Sequence, residues 1–246
     1  MDLSATHYLP IGTTLISAAF AAVILCRFKA RGYGVHLLWW AAGVIAYGLG
    51  TVLEASITLF GNTVVLTKAW YIAGALLGGY PLAQGTVYML MPRRRANILT
   101  WCTLPLIAVA SVLVIMSPVN TAAVEPTRPS GAILGWQWIR LITPLINGYA
   151  AMMLIGLAMR SAILFARRRK TYYRMVGNWL IAIGAILPGI GGGMAKAGMV
   201  EALYAGEFIG IILIWLGYWN CQRGPLLEEV AEARTEDRAC EALEMA

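Results

Sequence analysis

The chain has 246 residues, of which 59% are hydrophobic and only 13% charged, and its mean hydropathy is +0.69. A soluble domain carries about 25% charged residues, so an ordinary water-soluble enzyme or regulator is excluded. The net charge of +7 raises nucleic acid as a partner, but the basic residues sit where a membrane protein needs them.

A spanning helix needs about 20 predominantly apolar residues to cross roughly 30 Å of hydrocarbon. Seven stretches meet that requirement, at 8–26, 35–60, 64–91, 98–116, 138–166, 175–200 and 202–221. The opening Met1-Asp2-Leu3-Ser4 lacks the basic segment of a cleaved signal peptide, so the first stretch is read as a retained span. The predicted fold is all-α: a polytopic seven-helix transmembrane bundle over 1–221, followed by a short acidic tail, 222–246.

Basic residues cluster at Arg27-Lys29-Arg31, at Arg93-Arg94-Arg95, and at Arg167-Arg168-Arg169-Lys170 with Arg174. These groups follow the first, third and fifth spans and so share one side. The positive-inside rule then puts the N-terminus outside and the C-terminus in the cytoplasm of a bacterial inner membrane. Anionic lipid headgroups are the expected partners of those loops, and nucleic acid is not. Cys26, Cys102, Cys221 and Cys240 all fall on the same cytoplasmic side, where thiols stay reduced. Their spacing suggests neither a disulfide nor a metal site.

The fourth and fifth spans are joined by 117–137, rich in Pro, Gly and Thr. Loops beyond about 12 to 15 residues are usually functional or disordered, so this one is either a lid over the outer face or a flexible connector. Trp and Tyr mark both membrane interfaces: Trp39, Trp40, Trp101, Tyr172, Tyr173 and Trp219 inside, Tyr8, Trp70, Trp136 and Trp138 outside. After Gly224-Pro225 the tail has seven acids and two arginines. A weak apolar stripe of Leu226, Leu227, Val230, Ala233 and Leu243 suggests a short helix that docks a protein partner or dimerises; a frayed polar tail is the alternative.

Ionisable residues at membrane depth are costly and mark functional sites by default. At 1.5 Å per residue, Glu54 and Glu207 lie roughly 8 to 9 Å inside the outer boundary. Lys68, Arg140, Lys196 and Glu201 lie nearer the outer surface, where interface anchoring explains them equally well. Two acids and three bases from five helices suggest an outward-facing polar site, with Tyr47, Gln84 and Asn147 as its uncharged lining and Tyr71, Tyr80 and Asn178 as possible extensions. Tyr47 shares a helix face with Glu54, whereas Gln84 and Asn147 also suit interhelical hydrogen bonding.

Glycine supplies the second signal. The third span holds Gly74, Gly78, Gly79, Pro81 and Gly85, and the sixth holds Pro188, Gly189, Gly191, Gly192 and Gly193. This predicts a break or hinge near the middle of the sixth span. Interrupted helices in corresponding positions point to a transporter site, and close helix packing with a proline kink is the plainer explanation. No enzymatic motif is present, so an enzyme is not expected. No lysine stands in the last span for a retinal Schiff base. His7 and His36 lie about a membrane thickness apart and cannot ligate one haem between them.

Leu37-Leu38-Trp39-Trp40, Gly48 through Glu54, Lys68-Ala69-Trp70-Tyr71 and Gly78-Gly79-Tyr80-Pro81 resemble the seven-helix sensor region at the N-terminus of some bacterial histidine kinases. The resemblance covers about 55 residues and the seven-helix plan, and no kinase domain follows. It implies a ligand-sensing membrane module signalling through a separate partner, with Glu54 as the position carried over. The expected function is therefore a membrane sensor or ligand-binding module with a polar site in the outer half of the bundle. The alternatives are a small proton-coupled transporter and a structural or cofactor-holding subunit of a larger complex, in which homo-oligomers are also conceivable. The sequence names no cofactor.

Overall fold

The computed structural model describes residues 8–126, 128–167 and 172–244, without the side chains of Lys196 and of everything after Arg223. Expectations for His7, Arg168, Arg169 and Lys170, for Cys240 and for the apolar stripe of the tail fall outside that description.

The chain folds as α1 (Leu9–Arg31), α2 (Val35–Phe60), α3 (Val64–Trp70), α4 (Tyr80–Leu90), α5 (Arg93–Met116), α6 (Ile142–Ala151), α7 (Leu157–Ala166), α8 (Tyr172–Lys196) and α9 (Val200–Glu244). Wider π turns join α3 towards α4 at Tyr71–Leu76 and α6 to α7 at Met152–Gly156. Six helical segments are long and apolar enough to cross a membrane, which makes this a multi-pass membrane protein. The third span, α3 through α4, brings the helices of the bundle to seven. The end carrying the Arg93–Arg95 cluster is called the basic end below, and the end carrying 117–137 the loop end.

Several boundaries differ from the hydropathy reading, for local reasons. Helix α1 runs on through Lys29 to Arg31, and α5 starts at Arg93 directly after Pro92. Charged residues suit a helical turn in the headgroup layer but do not count as apolar. Helix α9 does not end before Gly224-Pro225; its backbone stays helical to Glu244, so the tail is a prolongation of the last span rather than a separate short helix.

The expected break in the sixth span is absent. Helix α8 is continuous from Tyr172 to Lys196 with Pro188 inside it. Its small residues serve packing instead. A Cβ on Gly184 would lie 2.7 Å from Gly210 O, and one on Gly191 would lie 2.7 Å from Leu203 Cα, so α8 and α9 meet backbone to backbone. Lipid chains are as apolar as leucine, and such close approach is what holds membrane helices together.

The broken helix is the third. Between α3 and α4 the backbone widens into the π turn, and Leu77 N–H bonds Ile72 O at 3.0 Å. The widening leaves Ala75 O available, and Asn147 Nδ2 donates to it at 3.1 Å. Around the bundle, α1 packs on α2 and α9, α2 on α4, α7 on α8, and α8 on α9. One apolar cluster joins α1, α2, α8 and α9 through Phe20, Val44, Ile181, Ile211 and Ile214. A second, through Tyr71, Leu76, Val114, Leu134 and Ile139, ties the third and fourth spans to the loop.

Segment 117–137 is folded onto the bundle. Asn120 N–H bonds Ile133 O at 2.8 Å and Gly135 N–H bonds Pro118 O at 2.7 Å, and Ile133 and Leu134 are buried. Asn62, at the turn between α2 and α3, clasps it further. Its Nδ2 donates to Glu125 O at 2.8 Å and to Arg128 O at 3.2 Å, while Thr67 Oγ1 donates to its Oδ1.

Candidate functional site

Helix α2 runs towards the loop end and the third span runs away from it. They touch backbone to backbone at Gly50 and Gly74, where a Cβ added to Gly50 would lie 2.9 Å from Gly74 Cα. In an antiparallel crossing, the residue four places after one contact point faces the residue four places before the other. Those residues are Glu54 and Trp70. Trp70 Nε1 donates to Glu54 Oε1 at 2.7 Å, and Glu54 is only 2% exposed.

Glu207 reaches the same point from α9. The two carboxyl groups lie close enough to act on each other electrostatically. Glu54 Oε2 and Glu207 Oε2 are both buried, and neither receives a donor from another protein group. A carboxylate only accepts hydrogen bonds, and a carboxylic acid donates one. Two neighbouring carboxyl groups can therefore join only through a proton that one of them keeps. Among the described residues no Lys or Arg forms an ion pair with either glutamate; the ion pair present is Arg128 with Glu125, in the loop.

Tyr47, two turns below Glu54, donates its hydroxyl to Glu207 O at 2.9 Å and ties α2 to α9 a second time. Helix α1 covers the junction. Thr14 Oγ1 meets Thr51 Oγ1 at 2.9 Å, and Gly12 lies against the Phe208 ring. On the loop-end side stands Tyr204, one turn before Glu207 and 2% exposed. It is beside Thr58 and within electrostatic reach of both glutamates and of Arg128.

Of the residues expected to form a polar site, Glu54, Glu207 and Tyr47 come together. The others go elsewhere. Lys68 Nζ donates to Ile115 O at 2.8 Å and Ser117 O at 2.7 Å, capping the C-terminus of α5. Arg140 is exposed and donates to Gln137 Oε1 at 2.8 Å. Gln84 lies towards the basic end, where it accepts from Tyr149 at 2.7 Å and donates to Thr100 at 2.6 Å. Asn147 serves the π turn, and Lys196 has no described side chain. Pro188, Gly189, Gly191, Gly192 and Gly193 lie within the unbroken α8. Among the described residues the site is thus an acid pair without basic partners, rather than a convergence of acids and bases.

Trp70 and Tyr204 were not legible as site residues. Trp70 reads as an interface tryptophan because it stands near a span end, yet its indole points inward. The signal that finds it is the spacing, since Gly50 and Glu54 are separated by four residues, as are Trp70 and Gly74. Trp40 likewise lies in the core, 4% exposed, rather than at the interface. Compared with protein-family models, curated proteins and solved structures, the chain matches none of them.

Proposed function

We propose that this chain is a membrane sensor module whose switch is the Glu54–Glu207 junction. The observation that carries the reading is the position of Glu207. It sits on α9, and the backbone of that helix continues without interruption from the junction to Glu244. A change in how α2 and α9 are held at the junction is therefore passed along one continuous helix towards its far end. With the N-terminus outside and the C-terminus in the cytoplasm, that end meets a cytoplasmic partner. The acidic tail is its docking surface, and the basic ends of α1, α5 and α7 rest on anionic lipid headgroups of a bacterial inner membrane. The weak likeness to the sensor regions of histidine kinases points the same way.

The test compares hydrogen exchange of the tail in the full chain, reconstituted in lipid nanodiscs, between wild type and Glu207→Gln. A changed protection of 224–244 supports the switch; identical protection overturns it. The alternative reading is proton-coupled transport, favoured by the same buried acid pair. It predicts uptake of a solute into proteoliposomes driven by a pH gradient, whereas a sensor moves nothing.

A further inference from the structure

We infer that the fifth span, formed by α6, the π turn and α7, is the surface on which a second copy of this chain docks inside the membrane, with the two copies joined at Asn147. The inference is independent of the glutamate junction and uses none of its residues.

Asn147 stands well inside the apolar segment Gln137–Ala166. At 1.5 Å per residue it lies roughly 15 Å from the loop-end boundary, near the middle of about 30 Å of hydrocarbon. Its side chain is nevertheless exposed. One N–H of its amide goes to Ala75 O at 3.1 Å. Among the described residues no group bonds its second N–H or its Oδ1. A lipid tail offers neither donor nor acceptor, and a polar group left unpaired in hydrocarbon is costly.

The amide belongs to a stripe unlike the lipid-facing flank beside it. Pro144, Asn147, Gly148 and Ala151 recur at helical spacing, so they share a face, and all four are exposed. The π turn Met152–Gly156 inserts an extra residue, so the stripe resumes at Gly156 and Met159, both exposed. A Cβ added to Gly148 or Gly156 meets nothing within 4 Å. On the neighbouring flank Leu145 and Met152 are 68% and 67% exposed, bulky groups that lipid chains cover well. Small residues let two membrane helices approach closely, and an amide bonds across the gap. The flank suits lipid, and the stripe suits a helix.

The amide also selects the occupant. Two copies of one chain sit in the membrane with the same orientation, so their fifth spans run parallel and equivalent residues lie at equal depth. A two-fold axis along the membrane normal then sets Asn147 opposite its counterpart in the second copy. A carboxamide both donates and accepts, so the free N–H of each copy can bond the free Oδ1 of the other. A single Asn at the contact of paired helices fixes their register and number. An unrelated helix would need a polar group of its own at that depth, whereas a second copy always brings one.

The experiment places the fluorescently labelled full chain in vesicles of phosphatidylethanolamine and phosphatidylglycerol over a graded range of protein-to-lipid ratios. Photobleaching steps count the copies in each particle. The expected result is a transition from monomer to dimer as the protein density rises. Asn147→Leu moves its midpoint to a roughly tenfold higher density, the order of magnitude of one polar pair between membrane helices. Asn147→Gln keeps a carboxamide and retains the dimer. Asn147 also holds the π turn, so Gly148→Leu serves as the second variant: its Cβ has open space in the single chain, and its bulk blocks the close approach of two copies. Gly148→Ala stays small and keeps the dimer, as does Leu145→Ala on the lipid-facing flank. Monomers at every density mean that lipid alone covers the stripe, which overturns the inference. A dimer indifferent to Gly148→Leu overturns it too, because the contact then lies elsewhere.

Discussion

Trp70 Nε1 reaches Glu54 Oε1 at 2.7 Å because Gly50 and Gly74 let α2 and the third span touch. Among the described residues, the indole is the side-chain donor that reaches the glutamate pair from outside α2 and α9. Trp70→Phe keeps an aromatic ring but loses the donor and part of the indole's volume, and the buried acceptor left unpaired costs about 1–3 kcal/mol. The expected outcome is a lower thermal midpoint in detergent than wild type. Trp101→Phe, on the lipid-facing side of α5, leaves the midpoint unchanged.

The helix crossing itself is testable. A methyl on Gly50 meets Gly74 Cα at 2.9 Å, closer than two carbons can pack, so Gly50→Ala pushes the helices apart and lengthens the Trp70–Glu54 bond. Overpacking of this kind costs about 1–3 kcal/mol. Gly148→Ala is the contrasting substitution. A methyl there meets nothing within 4 Å, and the better helix former gains up to about 1 kcal/mol. Thermal unfolding should move in opposite directions for the two.

The class of the protein was legible because membrane crossing needs length and apolarity, both visible one residue at a time. Glu54 and Glu207 were legible for the same reason: a charge in an apolar run is costly wherever the helix packs. Their pairing was not, since it depends on which helices are neighbours, and α1, wedged between α2 and α9, is what closes that contact. Glycine misled for a related reason. Gly184 and Gly191 in the sixth span and Gly74 in the third look alike in sequence. The first two face the backbone of α9, which supports a continuous helix, whereas Gly74 lies within a π turn whose freed carbonyl needs Asn147. Lys68 reads as an ionisable site residue until the end of α5 is placed beneath it.

Lys68 caps Ile115 O and Ser117 O, so its positive charge answers the negative end of the α5 dipole. Lys68→Met removes both bonds, at a cost of about 1 kcal/mol for a partly exposed helix terminus. The loop that starts at Ser117 should then be cut faster by protease. Exchange in the tail should stay as in wild type, since Lys68 does not touch the glutamate pair. A tail response to Lys68→Met would mean that the loop and the switch are coupled.

The glutamate pair predicts how stability depends on pH. Glu54 and Glu207 are neighbouring buried carboxyl groups, and two such groups escape mutual repulsion only while one of them keeps a proton. Raising the pH removes that proton and leaves two carboxylates side by side, so the wild-type bundle should lose stability as the medium becomes alkaline. Glu54→Gln replaces the shared proton with an amide. Its nitrogen donates to Glu207 and its oxygen still accepts from Trp70, so folding persists and the alkaline loss shrinks. Glu207→Gln does the same from the other side. In the double variant no charge is left to repel, and the thermal midpoint should not respond to pH through this site. Because the two residues form one unit, the effects of the single substitutions on the alkaline loss should not add; a double-mutant cycle of thermal midpoints at neutral and alkaline pH measures the difference. Additive effects would mean that each glutamate titrates alone, and the shared proton would have to be given up.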